Sequence, residues 1–223
     1  MPRGCAPMAR TLCLADNLMS LFNRPDLAWC DLSGTLIFLD IARDRYFCLA
    51  DACNREALQE LEQAGLGRVQ QPACWPKPAD WTPPIRTSVA IGSGSFRLPD
   101  VARAIWIQRR TERRLASTSF AATLTDLRRL MDTVDRRTSK SGRTAAQSVR
   151  AFEHARLLRT AADRCLPRSI ALALCLASDG ERTNLVIGVK LAPFGAHCWV
   201  QSGDEVLNDS VEEVMRYQPI LTL

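Results

Sequence analysis

The stretch that most constrains this chain begins at Cys165. Ile170, Leu172, Leu174 and Leu176, with alanines between them, form a helix that is mostly apolar around its circumference. A helix of that kind has to be buried. Asp163 or Arg164 is placed to cap it, and Pro167 falls in the first turn, where a missing N–H costs little. Cys165 therefore stands at the positive end of a helix macrodipole. That position lowers a thiol pKa and favours the nucleophilic thiolate. A backbone N–H of the same turn is placed to hold a developing oxyanion. The sequence identifies no second donor.

A base and an acid follow downstream. His197, Trp199 and Gln201 alternate with Cys198 and Val200, so a strand would put the first three on one face. Ser202-Gly203-Asp204 is a turn signal, and 197–201 with 205–209 read as a hairpin. Parity then matters. A two-residue loop of Gly203 and Asp204 sets Asp209 opposite Cys198, on the wrong face. A three-residue loop from Ser202 to Asp204 sets it opposite His197. The odd loop, or a bulge of the same effect, is expected. Cys165, His197 and Asp209 would then form a thiol acyl-transfer triad. Asp204 is the weaker candidate for the acid, because an aspartate in a turn ordinarily serves the turn. The other histidine, His154, lies in a charged helical stretch and reads as a solvated surface residue. Taken singly, a cysteine at a helix start and a strand histidine beside a tryptophan are more often structural than catalytic, and spacing alone does not separate the two readings.

Composition narrows the class. The chain has 223 residues, 47% apolar and 24% charged, which suits one large or two small globular domains. No apolar run approaches the roughly 20 residues a membrane span needs. The N-terminus is too weak for a signal peptide, so a cytoplasmic protein with no membrane partner is expected. Lysine occurs only at Lys77, Lys140 and Lys190, so arginine supplies nearly all of the 29 basic residues behind the net charge of +5. Arginine pairs such as Arg109-Arg110 and Arg113-Arg114 lack any nucleic-acid motif or aromatic interleaving, and read as solvated helix faces. Nine cysteines without a CxxC pair give neither a disulfide framework nor a metal site. Buried reduced thiols are expected, with Cys165 the exception.

Cys165-Leu166-Pro167-Arg168-Ser169 with its apolar helix, the Gly188-Val189 strand, Pro193-Phe194, Ala196-His197-Cys198-Trp199-Val200, and Asn208-Asp209 together resemble one family. It is the transglutaminase-like cysteine peptidase of lasso-peptide biosynthesis, the B protein that removes the leader from a lasso precursor. His197 follows Cys165 by 32 positions and Asp209 follows His197 by 12, which also fits. Cys198 departs from the alanine common at that place, without consequence for the chemistry. The resemblance implies Cys165 as nucleophile, His197 as base and Asp209 as its orienting acid. It also implies a precursor-peptide leader as substrate and an asparagine-synthetase-like cyclase as partner. No cofactor is implied for this chain, and any ATP dependence would enter through the cyclase. The alternatives are another transglutaminase-like acyl transferase or amidohydrolase, and a non-catalytic adaptor that presents the precursor.

The expected fold is α+β, with a small N-terminal module and a C-terminal papain- or transglutaminase-like domain, a helical lobe packed on an antiparallel sheet. Residues 1–18 read as a disordered extension. Strands at 27–32, 35–41 and 45–49, turning at Ser33-Gly34 and 42–44, precede a helix at 51–64. Within 19–70 these resemble the winged-helix module that binds leader peptides. The mode would be strand addition to a sheet edge, with Arg45, Tyr46 and Phe47 as candidate contacts; Tyr46 and Phe47 lie on opposite faces, one for the leader and one for the core. Residues 71–98, with Pro72, Pro76, Pro78, Pro83 and Pro84, read as an extended linker. Its Gly92-Ser93-Gly94-Ser95 matches neither a P-loop nor a nucleophile elbow. Residues 99–223 form the peptidase domain. It opens with helices carrying Val101, Ile105, Trp106 and Leu115, then Leu124, Leu127, Leu130, Met131 and Val134, then Val149, Phe152, Leu157 and Leu158 as core.

Overall fold

A computed structural model describes Arg24 and residues 26–49, 81–88, 96–134, 144–158 and 164–223. The extension at 1–18, the helix expected at 51–64, the prolines from Pro72 to Pro78 and the Gly92–Ser95 loop lie outside the described residues. The chain divides into two compact units. One holds the described residues up to Trp81 with Ile187–Ala196 and Tyr217–Leu223. The other holds Thr82–Val186 and His197–Arg216.

The first unit begins with β1 (Leu27–Leu32), β2 (Thr35–Asp40) and β3 (Arg45–Cys48), an antiparallel sheet in that order. The β1–β2 hairpin closes on two residues with positive φ, Ser33 at 55° and Gly34 at 83°. That backbone twist matches the twist of paired strands, and glycine adopts it without strain. The Asp31 carboxylate accepts the Gly34 N–H at 2.8 Å and fixes the turn. Trp29, Phe38 and Phe47 lie directly across from one another on the three strands. Their rings form a cross-strand ladder, with centroids 6.4 Å and 5.0 Å apart. β2 is buried on both faces, which explains its continuous apolar run. β8 (Gln218–Thr222) packs beside β1.

The second unit is built on helices. They are α1 (Leu98–Ser117), α2 (Phe120–Val134), α3 (Ala145–Leu158) and α4 (Cys165–Asp179), followed later by the one-turn α5 (Val211–Val214). α4 is the helix the sequence required to be buried: Ile170, Ala171, Leu172, Ala173 and Leu176 have no exposed surface. α1, α2 and α3 all pack against it. The helix ends at Gly180, where φ is 88° and the Gly180 and Glu181 N–H groups close back on Ala177 and Leu176. A half-buried ion pair ties the helices together. Arg103 of α1 donates both Nη atoms to Asp179 of α4 at 3.1 and 3.0 Å, and Ser148 of α3 donates to the same carboxylate at 2.9 Å.

The expected core positions need correction on two helices. Trp106 is 59% exposed, with the Arg110 guanidinium 5.4 Å over its ring. The buried face of α1 runs instead through Val101, Ala104, Gln108 and Thr111, a helical spacing that leaves Trp106 on the far side. On α3, Leu157 and Leu158 are exposed, beyond the last buried turn at Ala155.

The remaining strands are β4 (Arg86–Thr87), β5 (Asn184–Lys190), β6 (Gly195–Ser202) and β7 (Glu205–Val206). The five-stranded sheet has the order β4-β7-β6-β5-β8, and β5 and β6 each contribute residues to both units. β4 falls within the stretch read as linker and pairs with β7 in parallel. The β6–β7 turn differs from expectation. Gln201 pairs with Val206 and Ser202 with Glu205, so the loop is the two-residue Gly203-Asp204, with Gly203 at φ 57°. Continued as a ladder, that register would point Asp209 away from His197. The ladder does not continue: β7 ends at Val206, and residues 207–209 bend.

Candidate active site

The bend decides the site. Leu207 N–H still reaches the Val200 carbonyl at 2.9 Å. The next backbone bond is replaced by a side chain, with Val200 N–H donating to Asn208 Oδ1 at 2.8 Å. Freed from the ladder, Asp209 turns to His197, and its Oδ2 lies 2.7 Å from Nε2. Asp209 Oδ1 accepts the Ser210 N–H at 2.8 Å, which fixes the carboxylate. Ser210 in turn caps α5 by accepting from Glu213 N–H. Asp209 and His197 thus meet by a route other than the odd loop that parity suggested.

Cys165 is the first residue of α4, with Arg164 as an N-cap that makes no side-chain bond. The His197 ring and the backbone N–H groups of Cys198 and Leu166 act on its thiol in favour of the charged form. The three residues named from the sequence are therefore together. His197, Trp199 and Gln201 share one face of β6: the first two rings stack at 6.1 Å, and Trp199 Nε1 donates to Gln201 Oε1 at 3.3 Å. The Gln201 side-chain amide Nε2 donates to the carbonyls of Thr82 and Gly203 at 2.6 Å each, which anchors the stack.

Burial opposes the charge on all three groups, and their mutual bonds outweigh it. Burial pushes the Cys165 thiol upward, but His197 and the two amides bring it below its ordinary value. Burial lowers the His197 pKa, yet Asp209 and Cys165 raise it to about 9. Burial raises the Asp209 carboxyl, and the His197 and Ser210 bonds hold it below the usual range. Each shift favours the charged form of its group: thiolate at Cys165, imidazolium at His197 and carboxylate at Asp209. Around it lies a charged rim. Glu153, 6% exposed, has its carboxyl pushed up by burial and offset by Arg156 and Arg168. Arg156 Nε is 3.0 Å from it, and Arg168 stands one helical turn from Cys165.

The other sequence candidates sort clearly. Asp204 serves the turn: it pairs with Arg86 at 2.6 Å, and its carbonyl accepts the Ile85 and Arg86 N–H groups. His154 is half-buried, not fully solvated, because Phe96 lies edge-on to its ring at 5.2 Å. Among the N-terminal three, Arg45 is exposed and Tyr46 is half-buried, with Phe194 edge-on at 5.7 Å. Phe47 is 6% exposed and belongs to the aromatic ladder, so its ring is withdrawn from any ligand. Sequence reasoning missed Ser169 and Asn208 as site residues. The available signals were their places, one turn after Cys165 and directly before Asp209. Among the described residues no cluster of three His, Cys, Asp or Glu side chains could hold a metal ion, and no helix is long and apolar enough to cross a membrane.

An α+β unit in which a thiol at a helix start meets a strand histidine and a carboxylate has the layout of thiol acyl-transfer folds. The family model described as Transglutaminase-like superfamily matches residues 100–222, more than half of the chain, and the chain belongs to that superfamily. It is similar to the Microcin J25-processing protein McjB of Escherichia coli, 46% identical over 46 residues. That match covers 21% of this chain and 22% of the relative, so the chain spans about a fifth of the length of the curated protein it matches. It supports the resemblance to lasso-peptide processing proteins read from the sequence. No solved structure matches the chain.

Proposed function

We propose that this protein is a cysteine peptidase that removes the leader from a lasso-peptide precursor. The observation that carries this is the Cys165–His197–Asp209 constellation, whose shifts all favour the charged forms, within a transglutaminase-like domain. The similarity to a microcin-processing protein supports a ribosomal precursor peptide as the substrate class.

The chemistry follows from the geometry. The Cys165 thiolate attacks the carbonyl carbon at the leader–core junction, and the tetrahedral oxyanion forms. As it collapses, the imidazolium of His197 gives its proton to the departing amine, and the core peptide leaves with a free N-terminus. The leader remains as a thioester on Cys165. Neutral His197 then takes a proton from water, hydroxide adds to the thioester, and collapse expels the thiolate and frees the leader acid. Asp209 holds the ring and stabilises its charge in each imidazolium state. The amine released is the nucleophile that a partner cyclase resembling asparagine synthetase consumes in closing the macrolactam, with ATP used by that partner. The protein works in the cytoplasm.

Residues 19–70 serve as the leader-capture module, 71–98 as linker and 99–223 as the peptidase domain. The leader adds as a strand to the small sheet, in whose order β3 stands at one end, with Arg45 and Tyr46 as side-chain contacts. Capture of this kind raises the effective concentration of the scissile bond.

The test incubates wild type and Cys165→Ala with precursor peptide and cyclase and reads product masses. Leader loss that depends on Cys165 is expected. Leader loss that survives Cys165→Ala, or leader bound tightly by both proteins and never cut, overturns the peptidase in favour of an adaptor. Mass gain by transfer to a lysine amine would instead indicate a transglutaminase.

A further inference from the structure

β6 has an incomplete edge. β7 pairs with it only at Gln201–Val206 and Ser202–Glu205. Beyond Val206 the bend removes the strand that would have satisfied Val200 and Cys198. A buried strand edge left bare is costly, so its groups must find partners. Four contacts do the work of the missing strand. Leu207 N–H donates to the Val200 carbonyl at 2.9 Å, and Val200 N–H donates to Asn208 Oδ1 at 2.8 Å. Ser169 Oγ donates to the Cys198 carbonyl at 2.7 Å, and the Cys198 N–H acts on the Cys165 sulfur in favour of its charged form. Asn208 Nδ2 then donates to Ser169 Oγ at 2.8 Å and joins the two halves. Ser169 has no exposed surface and Asn208 only 9%.

Each member of this network adjoins a member of the triad. Ser169 lies one turn below Cys165 on the same helix face. Cys198 follows His197, and Asn208 precedes Asp209. We propose that Ser169 and Asn208 are positioning residues, which seat the first turn of α4 on the open edge of β6 so that the Cys198 amide and the His197 ring both meet the Cys165 sulfur. The inference rests on Cys165 as the nucleophile. A buried hydroxyl and amide used for packing alone would hold α4 and β6 together without governing the state of the thiol. A positioning clip governs it, because loosening the clip withdraws a hydrogen-bond donor from the sulfur and lengthens its contact with the imidazole.

The experiment measures alkylation of Cys165 by iodoacetamide against pH in the full chain, followed by peptide mapping, for wild type, Ser169→Ala, Asn208→Ala and Ser148→Ala. The charged and titratable groups around the sulfur, His197, Arg168 and Cys198, with Asp209, Glu153 and Arg156 behind them, remain in all four proteins. In Ser169→Ala and Asn208→Ala the profile should move to higher pH, and the rate at pH 7 should fall on the order of tenfold, the scale of a small misplacement of a reacting group. Ser148→Ala removes a hydroxyl as deeply buried, bonded to Asp179 at 2.9 Å, and should leave the profile in place. An unmoved profile in the two folded clip variants, or an equal shift in Ser148→Ala, overturns the proposal. Thermal melts establish the folded fraction, and Asn208→Ala carries the test should Ser169→Ala not fold. Precursor left intact by the wild type would remove the peptidase reading alone, since the clip is read on the thiol.

Discussion

α4 carries two cysteines near its two ends, and they have opposite fates. Cys165 opens the helix and is held below its ordinary thiol pKa. Cys175, also next to a cation, is pushed up to about 11. A neighbouring cation alone therefore does not make a thiolate. What decides is whether the surrounding bonds and charges outweigh burial. At the head the imidazolium lies between the sulfur and Asp209, so the carboxylate supports the cation from its far side. At the tail all three touch: Arg103 is 3.1 Å from the Cys175 sulfur, but Asp179 is 3.6 Å from it and already claims both Nη atoms. Burial raises the Cys175 thiol most, and the Asp179 carboxylate adds to burial against the Arg103 charge. The helix dipole adds to both results, with positive charge at the head and negative at the tail. One end is arranged for chemistry and the other for cohesion.

The sharpest way to break this comparison is to let both thiols compete for one electrophile. At pH 7 a thiol with pKa about 11 is ionised to roughly one part in ten thousand. Iodoacetamide should label Cys165 at least about a hundredfold faster than Cys175, resolved by peptide mapping of the native protein. Cys30, with its thiol pushed to about 12 by burial, and Cys198 should stay unlabelled. Labelling of Cys175 at a comparable rate would mean that the two ends do not differ.

The next largest effect concerns the acid behind the imidazole. Asp209→Asn should lower precursor turnover by roughly 10²- to 10⁴-fold, the range seen when a triad loses its orienting carboxylate. The pH dependence should change with it. In the wild type the ion pair persists until His197 loses its proton, so thiolate–imidazolium activity falls as pH rises through about 9. Asp209 is the strongest of the groups that raise that value, and Asp209→Asn should bring the alkaline fall toward the ordinary 6.5. A profile of kcat/KM against pH reads both effects. An unchanged alkaline limb would show that Asp209 does not support the cation.

The chemistry at the head of α4 was more legible in sequence than the structure at its tail. Cys165, Pro167 and the apolar run announce a buried helix start, and His197 with Trp199 announces a strand face, because periodicity and capping are local signals. The way Asp209 arrives was not legible. Parity assumes an unbroken ladder, and nothing in Leu207-Asn208 says that a side-chain amide will replace a backbone partner. Arg103 and Asp179 were missed for a related reason: they are 76 positions apart, and their pairing depends on how α1 crosses α4. Trp106 and Leu157 fit a helical spacing of apolar residues, but the buried face of α1 has another phase and that of α3 ends at Ala155.

Removing the cation at the tail separates cohesion from chemistry. Arg103→Met leaves the Asp179 carboxylate buried without its main partner and should cost about 2–4 kcal/mol, somewhat less than a fully enclosed pair because the Arg103 side chain is 28% exposed. Burial raises the Asp179 pKa, but Arg103 and Ser148 together bring it below the ordinary 3.8. The contribution of a lowered carboxyl is complete above its unfolded pKa and is lost as pH falls through the folded one. The stability of the wild type should therefore fall below about pH 4, while Arg103→Met should be destabilised already at pH 7 and lose less on acidification. The Cys165 alkylation profile should be the same in both proteins.

The smallest effect sharpens the comparison most cleanly, because it touches only the backbone. Gly180 closes α4 at φ 88°, one residue after Asp179. An alanine there must adopt the left-handed region at a cost of about 1 kcal/mol, from its Cβ crowding the following carbonyl. Gly180→Ala should lower the unfolding free energy by about that amount while leaving the Arg103–Asp179 pair in place. If the two ends of α4 are independent, the thiol at the head will not register the change, and Cys165 will alkylate with the wild-type pH profile. A shift in that profile would instead mean that strain travels along the fifteen residues of the helix, and that the tail network helps to aim the sulfur as well as hold the layers together.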